Sequence, residues 1–169
     1  MDRRLGHLTL AVTLGAMLTA CDHPTATSSV TSNPSAASST PAKPAAIADE
    51  STWGGYLAGQ GKLHAKDVSM RPYIYVIPAG DSSAAQTRRQ NELVSVVHGI
   101  GPLVLPGGML ILGGPDGKQT TAFITNLSKQ LKADALKGIV VMVVSDASEQ
   151  SADAAALKTS GATLRFVAM

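Results

Sequence analysis

Four short apolar runs recur along the chain beyond residue 70: YIYVI at 73–77, MLILG at 109–113, IVVMVV at 139–144 and TLRFV at 163–167. Each is set off by chain breakers. Pro72 and Pro78 bracket the first, PGG precedes the second and Gly161 precedes the fourth. Runs this apolar suit strands covered on both faces of a sheet. Between them the apolar spacing changes from strand-like to helical. Leu93, Val96, Val97 and Ile100 share one face behind QTRRQNE, and Phe123, Ile124, Leu127 and Leu131 share another. The third stretch, EQSADAAALKTSG, is Ala-rich and stops at Gly161, a residue type that ends helices.

Strand and helix therefore alternate as β-α-β-α-β-α-β. That order predicts an α/β domain over residues 49–169: a small, mainly parallel sheet of about four strands with helices packed on it and right-handed crossovers. A two-layer arrangement with an antiparallel edge strand is the alternative. Aromatic residues make up only 4% of the chain, so the core must come from Val, Ile, Leu, Met and Ala. The stretch ahead of the first strand, STWGGYLAGQGKLHAKDVSM, resists assignment because Gly54, Gly55, Gly59 and Gly61 interrupt it. Trp53 and Tyr56 within it either cover part of the sheet or stand out beside flexible glycines to stack on a sugar or partner. Covering the sheet is the simpler account.

Charge excludes one class of function. The net charge is +2, charged residues are 15% of the chain, and Arg88-Arg89 is an isolated basic pair without interleaved aromatics. Nucleic-acid binding calls for a basic stripe or a recognisable module. Neither is present.

The N-terminus carries a different signal. MDRRLGH is short and basic, and LTLAVTLGAMLTA, residues 8–20, is uncharged throughout. A membrane-spanning helix needs about 20 apolar residues, so this stretch fits the h-region of a secretory signal peptide instead. Cys21 follows it and is the single cysteine of the chain, so no internal disulfide is available to it. Leu18-Thr19-Ala20-Cys21 resembles the lipobox of bacterial lipoproteins. The resemblance covers residues 1–21 alone. It implies cleavage before Cys21, lipid on its thiol, and acyl chains holding the protein on a membrane facing the periplasm. Each buried CH₂ of such chains contributes about 0.8 kcal/mol, so two or three chains make a lasting anchor. Asp22 resembles the signal that retains lipoproteins in the inner membrane of enteric bacteria; the outer membrane remains open. Residues 22–48 contain 21 Ala, Ser, Thr or Pro out of 27. With no apolar period, they are expected to form a disordered tether between anchor and domain.

Chemistry-bearing motifs are sparse. After the first three strands come PAGDSS, GGPDGK and VVSDAS, which place Asp81, Asp116 and Asp146 at strand carboxyl ends, where open α/β sheets bind ligands. Three converging carboxylates could hold a divalent cation or act as acid and base. Each also stands where a helix begins. Asp116 with Gln119, Asp146 with Glu149, and Ser83 with Gln86 all have capping-box spacing, and capping is the simpler account. GGPDGKQT is similar to a phosphate-binding Walker loop, but Leu112 stands where that loop needs its first glycine, and Pro115 and Asp116 oppose phosphate. Gly113, Gly114 and Gly117 are expected to form a tight turn instead. No nucleophile elbow of the G-x-S-x-G type is present. A His64–His98 metal pair is the remaining metal candidate, and no cofactor or metal is expected. The expected function is a non-catalytic envelope module, an assembly component or inhibitor, whose partners are the membrane and another envelope protein. The alternative is a small hydrolase or a ligand- or cation-binding domain using the Asp-bearing loops.

Overall fold

A computed structural model describes residues 40–169. The leader, Cys21, Asp22 and the tether as far as residue 39 lie outside the described residues. The elements run α1 (Glu50–Leu63), β1 (Tyr73–Val76), α2 (Ser83–Gly99), β2 (Met109–Gly113), α3 (Gly117–Gln130), β3 (Val140–Ser145), α4 (Gln150–Leu157) and β4 (Thr163–Ala168). Short 3-10 turns precede and follow α4. The four strands form one sheet in the order β1-β2-β3-β4, and all three pairings are parallel. The fold is α/β with helices packed on a parallel sheet, and among the described residues no antiparallel edge strand occurs.

Alternation along the strands divides the core into two layers. On one face Leu110, Leu112, Val141 and Val143 meet Leu93 and Val96 of α2, Phe123, Ile124 and Leu127 of α3, and Leu157 of α4. On the other face Met109, Ile111, Val140, Met142 and Val144 meet Trp53, Tyr56 and Leu57 of α1. β2 and β3 are buried along their whole length, as their continuous apolar runs require. The three crossover helices thus share one face, which follows from sequential strand order combined with crossovers of one hand. Gly161 ends the α4 region with φ +74, the left-handed conformation a helix stop needs.

α1 is the element the glycines concealed. Asp49 caps it: its carboxylate accepts from the Thr52 N–H at 2.7 Å, and that bond holds the Asp49 carboxyl below the usual range. The buried positions Trp53, Tyr56, Leu57, Gln60 and Gly61 follow helical spacing. A glycine inside a helix costs about 1 kcal/mol relative to alanine, and here close approach to the sheet explains Gly61, with a matching glycine on the strand below. A Cβ on Gly61 would stand 2.6 Å from Ile111 Cδ1, and one on Gly113 of β2 would stand 2.8 Å from Leu57 Cδ2. Each glycine lets a side chain of the facing element reach its backbone, and Trp53 is completely buried beside them. Trp53 and Tyr56 therefore cover the sheet rather than stand free; their rings pack edge to face with centroids 5.7 Å apart.

Residues 40–48, the last part of the stretch assigned to the tether, lie against the domain. Trp53 Nε1 donates to Ala45 O at 3.2 Å, Pro41 packs where a Cβ on Gly59 would be, and Ala48 joins the α1-side core.

Candidate functional site

The strand carboxyl ends meet around the first turn of α3. Asp116 caps that helix, with Oδ1 accepting from the Gln119 N–H at 3.1 Å. The Gln119 side chain does not close the expected capping box. Its Nε2 donates instead to Asp81 Oδ1 at 2.8 Å, tying the first loop to the second. Asp146 approaches from the third loop. Its carboxylate lies against Gly117, where a Cβ would stand 2.5 Å from Oδ2, and Lys43 Nζ sits 3.7 Å from its Oδ1. Ser145 Oγ adds a buried bond to Gly117 O at 3.5 Å.

The three carboxylates are thus brought to one helix N-terminus, each with a different occupation. Only Asp116 caps a helix. Asp81 is displaced because α2 starts at Ser83, which makes Ser82 the residue just outside; its hydroxyl accepts from the Ala85 N–H at 3.2 Å. Ser82 therefore fills the role expected of Ser83, and Gln86 Nε2 donates to Asp81 O at 2.9 Å. Asp146 makes no side-chain cap, because its backbone carbonyl takes the Glu149 N–H at 2.9 Å in a 3-10 turn and the side chain turns toward Lys43. Arg89 Nη1 locks the first loop by donating to Pro78 O at 2.8 Å and Gly80 O at 2.7 Å.

Gly113, Gly114 and Gly117 do not form a positive-φ turn. They are places where backbone crowds backbone or carboxylate. A Cβ on Gly114 would lie 2.2 Å from Ile77 O, so β2 leaves the sheet in contact with the end of β1. Among the described residues no group of three or more His, Cys, Asp or Glu is placed to hold a metal ion. His64 and His98 sit at the ends of α1 and α2, on opposite faces of the sheet.

Beside this rim a cavity of about 240 Å³ opens between residues 46–50, the end of β1 and Pro115. Trp53 and Val76 line its floor, and the exposed Arg88–Glu50 ion pair stands at its edge. Ile47 is 97% exposed at its mouth. Doubly wound sheets bind ligands in a crevice where successive crossovers depart to opposite faces. Here α2, α3 and α4 share a face, and the cavity is built instead from the segment leading into α1.

One buried titratable group escaped sequence reasoning. Asp153 of α4 is completely buried, and among the described residues neither carboxylate oxygen has a hydrogen-bond partner. Thr121 Oγ1, on α3, is likewise buried and unpartnered. Burial pushes the Asp153 carboxyl up to about 6; the Thr121 hydroxyl opposes part of that rise and Glu149 adds to it. The signal was available, since Asp153 stands four residues before the buried Leu157 on the inward face of the helix.

Among the described residues no helix is long and apolar enough to cross a membrane. Compared with protein-family models, with curated proteins and with solved structures, the chain finds no match.

Proposed function

We propose that the chain is a lipid-anchored periplasmic lipoprotein whose α/β domain acts as a non-catalytic module binding another envelope protein. The observation that carries the reading is Leu18-Thr19-Ala20-Cys21 behind a basic start and an uncharged apolar run. Cys21 is the acylated residue, and Asp22 favours retention in the inner membrane. Two features of the domain support binding over catalysis. The strand-end carboxylates are committed to a helix cap, to Gln119 and to Lys43. The crossovers share one face, so the sheet's own topology supplies no ligand crevice.

The test uses the full chain in a Gram-negative host fed a clickable palmitate analogue. The protein is expected to take up label and fractionate with membranes, and Cys21→Ala is expected to lose both. Equal labelling of the two forms overturns the anchor. Turnover of phosphoesters or glycans by the purified protein, lost on Asp116→Asn, overturns the non-catalytic reading.

A further inference from the structure

β1 lies at the edge of the sheet, with β2 on one side and no strand on the other among the described residues. Ile77 directs its N–H to Gly113 O on the β2 side. Backbone groups alternate in direction along a strand, so Tyr73 and Tyr75 turn the same way. Ile74 and Val76 then present their N–H and C=O groups outward. All four residues of β1 are half-buried. A groove of about 560 Å³ follows this edge, lined by Ile74, Tyr75 and Val76 between Glu50 of α1 and Glu92 of α2. A second groove, lined by Arg71, Pro72, Tyr73 and Ile74, extends it toward the start of the strand.

We propose that this edge pairs with β1 of a second copy of the chain, antiparallel about a two-fold axis at Tyr75. The inference goes beyond the envelope-binding reading and stands or falls independently of it.

Three properties of the strand favour its own copy as occupant. The first is the placing of its prolines. Pro72 and Pro78 lie in step with Ile74 and Val76, on the outward side, and neither has an N–H to give. With Tyr75 opposite Tyr75, Pro72 falls opposite Pro78 of the other copy and Ile74 falls opposite Val76. Every outward N–H then meets a carbonyl, and the two gaps in the donor row coincide. The row of outward donors is thus bounded symmetrically about Tyr75, as a two-fold axis at that residue requires.

The second property is charge. Arg71 stands at the start of β1, while Glu50 and Glu92 flank its second half, where Arg88 balances one of them. A two-fold axis reverses the strand and carries Arg71 of each copy toward the carboxylate-flanked end of the other. Parallel pairing would set like charge beside like. The third property is the centre of the register, where two Tyr75 side chains become cross-strand neighbours, a favourable pairing for aromatics. The product is a continuous eight-stranded sheet with an isologous interface, which covers the β1 edge of both copies and leaves β4 at each border.

The test places single cysteines in the detergent-solubilised full chain carrying Cys21→Ser, which has no other thiol. Tyr75→Cys is expected to form a disulfide with its own copy under mild oxidation. Directly opposed residues of a non-hydrogen-bonded antiparallel pair have Cα atoms about 4.5 Å apart, inside the range a disulfide spans. Tyr73→Cys, opposite Ile77 in this register, is expected to cross-link at least about ten-fold less. Phe166→Cys reports on the other edge strand. Detergent-corrected light scattering of the chain with unaltered β1 is expected to give twice the monomer mass, a reading that does not depend on the cysteine variants folding. A monomer throughout the micromolar range overturns the proposal. So does a dimer in which position 75 does not cross-link, whether or not position 166 does.

Discussion

Asp153 offers a stability measurement whose sign and size both follow from its surroundings. A carboxyl raised from 3.8 to about 6 binds its proton more tightly in the folded state than in the unfolded chain. Folding is therefore most favoured by this group below pH 3.8, loses that contribution as pH rises toward 6, and is flat above it. At 1.36 kcal/mol for each unit, the ionised form costs about 3 kcal/mol at pH 7.5. Asp153→Asn keeps the shape and removes the charge, but it introduces an amide that needs an acceptor, for which Thr121 Oγ1 stands ready. An imperfect bond there costs about 1 kcal/mol, so a net gain of about 1–2 kcal/mol is expected at pH 7.5. Near pH 4 the two proteins should be equally stable, or the variant slightly weaker. Urea unfolding of both forms between pH 4 and 8 reads the difference, and subtraction removes every other titrating group, including the lowered Asp49. An Asn variant less stable at pH 7.5, with an unchanged slope between pH 4 and 6, would refute the reasoning by showing that the carboxylate is well solvated where it sits.

Two further substitutions test the strand-end loops. Gly114→Ala sets a methyl group against backbone rather than a flexible side chain, at Ile77 O. It should cost about 3 kcal/mol or more, read as a lowered urea midpoint. Asp116→Ala removes the α3 cap and should cost about 1 kcal/mol, read by thermal unfolding; a stabilised protein would instead mark Asp116 as held in strain for a ligand.

The strands and the crossover helices were legible because their apolar residues recur at periods that few other structures share. IVVMVV reads as a strand buried on both sides, and Leu93, Val96, Phe123, Ile124 and Leu127 mark the inward faces of α2 and α3. α1 was hidden for a physical reason. Its glycines lower helix propensity residue by residue, and the close packing of Gly61 on Ile111 that compensates is visible only in three dimensions. The strand-end residues were legible as a set but not in their roles. Asp81, Asp116 and Asp146 share the same local sequence logic, yet a one-residue difference in where α2 begins, and a 3-10 turn after β3, give them three different partners. Lys43 and Gln119 belong to that arrangement through contacts of long sequence separation, which no local pattern encodes.

Sequential strand order has a kinetic side. Every strand after β1 pairs with the one before it in the chain, so growth in chain order would add one β-α unit at a time, each pairing closing a crossover of parallel strands, which is an intrinsically slow step. During that growth the newest strand is always the raw border. For the interval before residues 163–168 dock, the border is Val140–Ser145, an unbroken aliphatic ribbon of the kind that seeds aggregation. The last docking event therefore acts as a lid on the most adhesive segment of the chain. Speed at that step, more than equilibrium stability, should govern how much of the newly made protein survives.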